Sequence, residues 1–466
     1  MRPCMNDVAA TSPQSAPEEE EDDGLPLPRR LWAIVAISFG TSLLVIDGAI
    51  PNVALPTIAR DLGVSNAIVT NVVTVYQLVL VMLLLPLASV GDRVGHRTLY
   101  QYGQGLFMVA SALCFFADSF TVLLLLRALQ AIGAAMALSV SAAMLRQIYP
   151  SSRLGTGMGI NSVIVASSAA LAPTLGGWIV GHAPWQVVFV VAAPLAVVSL
   201  LLGRSLPDPQ PQDRRVQWKS GTWSALTMLL LIGGMQWGTH GNVPGGIALS
   251  ALGVVSLVLL VRREKARPAP VLPVDLMTRP VIGLSVLANF TCFISAGALM
   301  LSLPFRLEEA MGYEPQMVGM LLLPFPLTML VISPIAGWAS DRVAPTKLGV
   351  TGMTIAIIGL VMLSTMPDQP GPWGIAWRLA LAASGFALFF APNTRLVMSN
   401  APRDRSAAAG GLYSTSRLFG QTLAAVLVGI LLAGNLGLGP VPMYVSCGLA
   451  FVAAACSLTR YRYRPT

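Results

Sequence analysis

Charge is what this sequence has least of. Asp, Glu, Lys and Arg make up 11% of the 466 residues, whereas soluble globular chains carry about 25%, so a water-facing globule of ordinary surface is excluded. There are only three histidines, His96, His182 and His240. With no phosphate-binding loop and no metal-ligand spacing beside them, the chain is not read as an enzyme, and no cofactor is expected. The five cysteines, Cys4, Cys114, Cys292, Cys447 and Cys456, are odd in number and lack paired spacing. That pattern supports neither a disulfide framework nor a metal site. Long polar stretches are also missing, none exceeding about 30 residues, so there is no room for the soluble domain of a receptor.

What fills the chain is apolar sequence. Hydrophobic residues are 55% of the total and mean hydropathy is +0.70. Runs of roughly 20 apolar residues recur throughout, and in hydrocarbon each must be helical because no water satisfies the backbone there. An all-α, polytopic membrane fold follows, with fourteen expected spans. Residues 1–30 read as an acidic cytoplasmic tail carrying Glu18 to Asp23 rather than a secretory signal. Residues 31–203 read as a six-helix bundle, 204–279 as basic loops around inserted spans seven and eight, 280–460 as a second six-helix bundle, and 461–466 as a basic tail.

Lys and Arg number 29. Placing both termini in the cytoplasm puts 25 of them there, with Arg60, Arg306 and Arg378 at outer span ends and Arg127 alone inside a span. The basic residues then face anionic headgroups rather than a nucleic acid. An internal repeat supports the division. Asp92-Arg93 recurs as Asp341-Arg342, and Pro150-Ser151-Ser152-Arg153 as Pro402-Arg403-Asp404-Arg405, offsets of 249 and 252 residues. Parallel repeats of this kind hold a substrate between their halves near the bilayer midplane.

Asp47 reads as the one carboxylate well inside a span. A charge there costs about 2.5–3.5 kcal/mol on insertion scales, so it is a candidate for proton or substrate binding, the alternative being a structural hydrogen bond to a neighbouring helix. An acid so placed can take and lose a proton in each transport cycle. Pro51 and Pro56 follow it, with Asn52 between them, and disturb the same helix. The disturbance is either a broken helix at a site or gate, or a simple kink.

The run from Ile46 through Asp47 and Asn52 to Pro56 resembles the first-span pattern L-D-x-T-[IV]-[VL]-N-V-A-L-P of the fourteen-span drug:proton antiporter branch of the major facilitator superfamily. Here Ala49 stands for the usual threonine and Pro51 for an aliphatic residue. In that family the acid is implicated in coupling. Gly91-Asp92-Arg93-Val94-Gly95-His96-Arg97 is similar to the family's G-x-x-x-D-R-x-G-R-R loop, which implies a conformational latch of Asp92, Arg93, Gly95 and Arg97, repeated at Asp341 and Arg342. Arg127 to Ala135 resembles R-x-x-Q-G-x-G-A-A, placing Arg127 and Gln130 with Asp47 as a coupled group, although Arg127 could instead snorkel or cap a carbonyl. Ser168 to Gly177 resembles the exporter motif G-x-x-x-G-P-x-x-G-G, kept at Pro173, Gly176 and Gly177. Trp185 to Pro194 and Pro392-Asn393 are weaker likenesses. Glu308 and Glu309, just beyond span nine, read either as cation attractors at the outer mouth or as a solvated loop face.

Together these features imply a secondary active transporter exporting lipophilic, neutral or cationic compounds in exchange for protons. It is expected as a monomer in a bacterial-type inner membrane. A dedicated proton-coupled carrier for one metabolite or self-made antibiotic is the alternative.

Overall fold

The computed structural model describes residues 24–149, 154–207, 218–239, 242–265, 274–340, 342–367, 370–401 and 406–463. The acidic stretch 18–23, Pro150 to Arg153, Asp341 and Pro402 to Arg405 lie outside the described residues. The described residues form helices without strands.

The helices in chain order begin with α1 (Leu27–Ala49), α2 (Pro51–Asp61), α3 (Asn66–Val69), α4 (Asn71–Val94), α5 (His96–Cys114), α6 (Phe120–Ile148), α7 (Leu154–His182), α8 (Val187–Val190) and α9 (Ala193–Leu202). Next come α10 (Trp218–Thr239) and α11 (Val243–Lys265), packed on each other as a hairpin. The remainder are α12 (Val274–Met277), α13 (Pro280–Phe305), α14 (Pro315–Leu322), α15 (Pro324–Ala339), α16 (Pro345–Ser364), α17 (Gly371–Asn400), α18 (Ser406–Ala433) and α19 (Val441–Thr459). Eleven segments among the described residues are long and apolar enough to cross a membrane, which makes this a multi-pass membrane protein. The eleven do not include α5, α7 or α10. For α5 the reason is its polar start, His96-Arg97-Thr98-Leu99-Tyr100-Gln101. Length and composition alone therefore stop short of fourteen.

The Pro51 disturbance is a kink. Ile50 keeps helical angles (φ −56°, ψ −45°), and its N–H still donates to the Ile46 carbonyl at 2.9 Å. What proline removes is a donor, so the Asp47 carbonyl lacks its usual i+4 partner, and Pro56 does the same to the Asn52 carbonyl. At Gly95 the chain turns from α4 into α5 with φ 101°, a conformation that penalises any side chain. The loop similar to the family's motif therefore turns tightly at its glycine.

Two readings need correction. Arg417, assigned to the cytoplasmic side, is the twelfth residue of α18 and lies inside the candidate span Ala409–Ala433; Arg127 is thus not the lone intramembrane base. Glu308 is not on a solvated face. Its side chain is 3% exposed and paired with Arg60, while Glu309 accepts from the Asn66 carboxamide.

Those two bridges join the N-terminal helices to the C-terminal ones, and other contacts between the two sets lie toward the same end. There α7 and α14 touch backbone to backbone. A Cβ on Gly177 would stand 2.7 Å from the Pro315 carbonyl oxygen, and one on Gly319 would stand 2.5 Å from that of Pro173. Only glycine permits this approach, because real Cβ atoms do not come so near. Gly176 does the same work toward the kink, where an added Cβ would be 3.1 Å from the Ile50 oxygen.

Gly319→Leu should pry α7 from α14. In a cysteine-free background, cysteines at Gly181 and Gln316 should cross-link, since a Cβ at Gly181 would sit 3.4 Å from that of Gln316, close to disulfide spacing. Adding Gly319→Leu should cut cross-link yield several-fold while the protein remains in the membrane. An unchanged yield would show that the glycine pair does not set the spacing.

Candidate functional site

The central polar cluster is assembled from α1, α4, α5, α6 and α8. Against α6, α5 is held by a glycine pair: an added Cβ on Gly133 would lie 2.6 Å from the Gly103 oxygen, and one on Gly103 would lie 2.7 Å from the Gly133 oxygen. That closeness carries Ser111 and Cys114 of α5 up to Gln130 of α6. From the other side α1 presents Asp47, the residue before the kink sequence.

Asp47, Arg127 and Gln130 meet. Arg127 Nη1 donates to Asp47 Oδ2 at 3.0 Å, to Oδ1 at 3.2 Å, and to Gln130 Oε1 at 2.7 Å. Gln130 Nε2 in turn donates to Asp47 Oδ1 at 3.3 Å and to Ser111 Oγ at 2.7 Å. Arg127 Nε donates to the Val72 carbonyl at 3.3 Å, and the guanidinium lies 4.2 Å from the Tyr76 ring centroid and 5.1 Å from that of Phe189. Arg127 thus touches the acid and also donates to a main-chain carbonyl. Asp47 is 0%, Arg127 1% and Gln130 0% exposed.

The arrangement has a chemical consequence. Breaking a buried ion pair by removing one partner costs about 3–5 kcal/mol because the remaining charge is uncompensated. Here Arg127, which cannot give up its proton, keeps Gln130 Oε1, the Val72 carbonyl and two aromatic faces if Asp47 becomes neutral. These neutral acceptors and ring faces lessen, without removing, the cost of leaving the arginine unpaired.

Asn52 does not join the cluster: its carboxamide oxygen is buried with no hydrogen bond among the described residues. Tyr76, Phe189, Ser111 and the Val72 carbonyl belong to the cluster, and sequence reasoning missed them. Tyr76 and Ser111 were visible as polar residues in apolar runs. Phe189 and a main-chain carbonyl offered no signal.

The latch residues are placed only in part. Arg93 is exposed and Arg97 half-buried, and among the described residues neither forms an ion pair. The Asp92 side chain is not described. In the second copy, Arg342 lies over the Trp338 ring at 3.9 Å, and Arg395 of α17 donates to the Ser340 carbonyl and, at 3.2 Å, to its hydroxyl. Pro173 lies within α7, and its carbonyl forms part of the contact with Gly319.

Comparison with known proteins agrees with this architecture. The profile of the Major Facilitator Superfamily matches residues 37–425 and 285–466. The "Uncharacterized transporter YebQ" of Escherichia coli (strain K12) is 38% identical over 93% of this chain and 96% of its own length. The "Riboflavin transporter RibZ" of Clostridioides difficile (strain 630) is 26% identical, covering 84% and 85%. The "Multidrug efflux pump LfrA" of Mycolicibacterium smegmatis is 28% identical, covering 86% and 81%. A crystal structure of the peptide transporter POT in complex with sulfate superposes with a TM-score of 0.69 at 16% identity, covering 93% of this chain and 94% of that one. A buried acid–base pair within one set of helices, a glycine seam between the two sets and matches along the whole chain lead to one assignment: this protein belongs to the Major Facilitator Superfamily.

Proposed function

We propose that the chain exports lipophilic compounds in exchange for protons by alternating access, as a monomer whose only energy source is the proton gradient. In this reading it spans a bacterial-type inner membrane fourteen times, as two six-span bundles flanking the α10–α11 hairpin, with both termini cytoplasmic. The end closed by Arg60–Glu308 and the Gly177–Gly319 contact then faces outward. Arg93, Arg97 and Arg342 act at the opposite end, where the latch with Asp92 and Asp341 would work.

The observation that carries the proposal is the fully buried Asp47–Arg127–Gln130 cluster. An intramembrane acid is expensive and is by default functional, and this one is arranged so that its neutralisation leaves the base with other acceptors. Proton uptake at Asp47 would dissolve the ion pair and free α1 to move at its proline kink. The name of LfrA supports export of drugs. The name of RibZ supports the second reading, a dedicated carrier for one metabolite. The expectation that cations are accepted alongside neutral compounds rested on a free Asp47 carboxylate. With Arg127 bound to it the pair is neutral overall, so lipophilicity is the cargo property retained.

Asp47→Asn should abolish pH-gradient-driven efflux in inverted vesicles while leaving the amount of protein in the membrane within about twofold, since the buried arginine keeps its other acceptors. Undiminished efflux would sink the assignment. Arg127→Lys keeps the charge but not the fork that reaches Asp47, Gln130 and Val72 together. We expect it to lower efflux at least tenfold, or about 1.4 kcal/mol in the barrier, read as initial rates across a panel of lipophilic solutes. Proton flux evoked by many of those solutes favours multidrug export, and flux evoked by one favours a dedicated carrier.

A further inference from the structure

Arg417 is an intramembrane cation that the coupling site does not use. In the candidate span Ala409–Ala433 it stands eight residues from the nearer end, ~12 Å deep at 1.5 Å per residue, too deep for a mere headgroup anchor. Among the described residues it forms no ion pair, yet it is only partly buried. A charge with those properties inside a span faces the bundle interior or a water-filled cavity, because lipid would not tolerate it.

Its neighbours on α18 locate that space. Ser416 receives a hydrogen bond from Asn289 Nδ2 of α13 at 2.6 Å, and a Cβ on Gly420 would lie 3.0 Å from that of Phe293 on α13. Leu418, Ala425 and Val428 belong to the hydrophobic core that also contains Val72, Val73, Leu80 and Val81 of the N-terminal helices. On a 100° helical wheel, position 417 falls between these two faces, toward the space between the N-terminal and C-terminal helices. Tyr413, one turn before it, directs its hydroxyl to the Phe390 carbonyl at 3.5 Å. Phe390 and Phe293 stack with centroids 4.3 Å apart and planes 26° from parallel. All four side chains are partly exposed.

A stacked pair of phenyl rings and a tyrosine, one helical turn from a guanidinium that forms no ion pair among the described residues, offer an aromatic anion both an apolar surface and a charge. We propose that Arg417 is a substrate-binding residue that pairs with the carboxylate or other acidic group of a flat aromatic cargo, whose ring lies against Phe293, Phe390 and Tyr413. This rests on the transporter reading above and sharpens its cargo class. Arginine offers a planar fork of donors to a carboxylate, whereas Asp47 is already occupied by Arg127 and offers no competing attraction for a cation.

The test is equilibrium binding to purified full-length protein in detergent at pH 7, using 1-naphthylacetate and its neutral counterpart 1-naphthylacetamide. Wild type should bind the acid more tightly than the amide. Arg417→Gln should weaken the acid by about tenfold or more, the range for losing a hydrogen bond to a charged group, and leave the amide unchanged. Arg417→Lys should retain part of the preference, and Phe390→Ala should weaken both ligands alike. No preference for the acid in wild type, or equal loss of both ligands in Arg417→Gln, overturns the proposal. Should Arg417→Gln fail to elute as a monodisperse peak, Arg417→Lys decides, since an unchanged acid-to-amide ratio combined with weaker binding of both would equally overturn it. Binding needs no gradient, so a failure of proton coupling appears only in the Asp47→Asn efflux assay and is separable from a failure here.

Discussion

The ion pair between Asp47 and Arg127 is the constraint around which the N-terminal helices are arranged. Two opposite charges with almost no exposure can stay together in a low-dielectric interior only if their remaining hydrogen-bonding capacity is met. The surrounding architecture meets it. Glycines at 103 and 133 bring α5 close enough for Ser111 to hold Gln130, and α4 supplies the Val72 carbonyl and the Tyr76 ring. The short segment α8 adds Phe189. Each of these helices is positioned by apolar packing, but their mutual register is fixed by what one arginine needs.

Much of this was legible in the sequence because a membrane interior makes polar residues conspicuous. Asp47 and Arg127 could be named in advance as charges inside spans, and Gln130 from the resemblance of Arg127 to Ala135 to a family motif. Gly95 could be named because a turn between two helices needs positive φ. What could not be read was distance: whether Asp47 touches Arg127 depends on the approach of α1 to α6, which no linear pattern encodes. Asn52 was grouped with Asp47 by proximity in sequence, yet it does not join the cluster in space.

The misplacements have separate causes. Arg417 lies within an expected span and is passed over when the bases are sorted by side, whereas Glu308 precedes Glu309 at the end of a π-helical turn, Arg306–Ala310, where two adjacent acids resemble a loop. Hydropathy averages over such neighbours, and a charge that is stabilised by a distant helix, as Glu308 is by Arg60, has no local marker. Counting bases by side of the membrane works for orientation but hides the exceptional base among the ordinary ones.

The hairpin gives the molecule an asymmetry that its repeat would not have on its own. Helix α10 packs on α4 and on α18 at once, with Gly221 seated against Pro86, so it covers one of the two lines along which the N-terminal and C-terminal sets meet. The other line, where α7 faces α14 and α15, has no such cover. Among the described residues, one lipid-facing flank is therefore walled by an added helix pair and the other is bordered by the glycine-lined helices alone, so the molecule's circumference is not the same on its two sides.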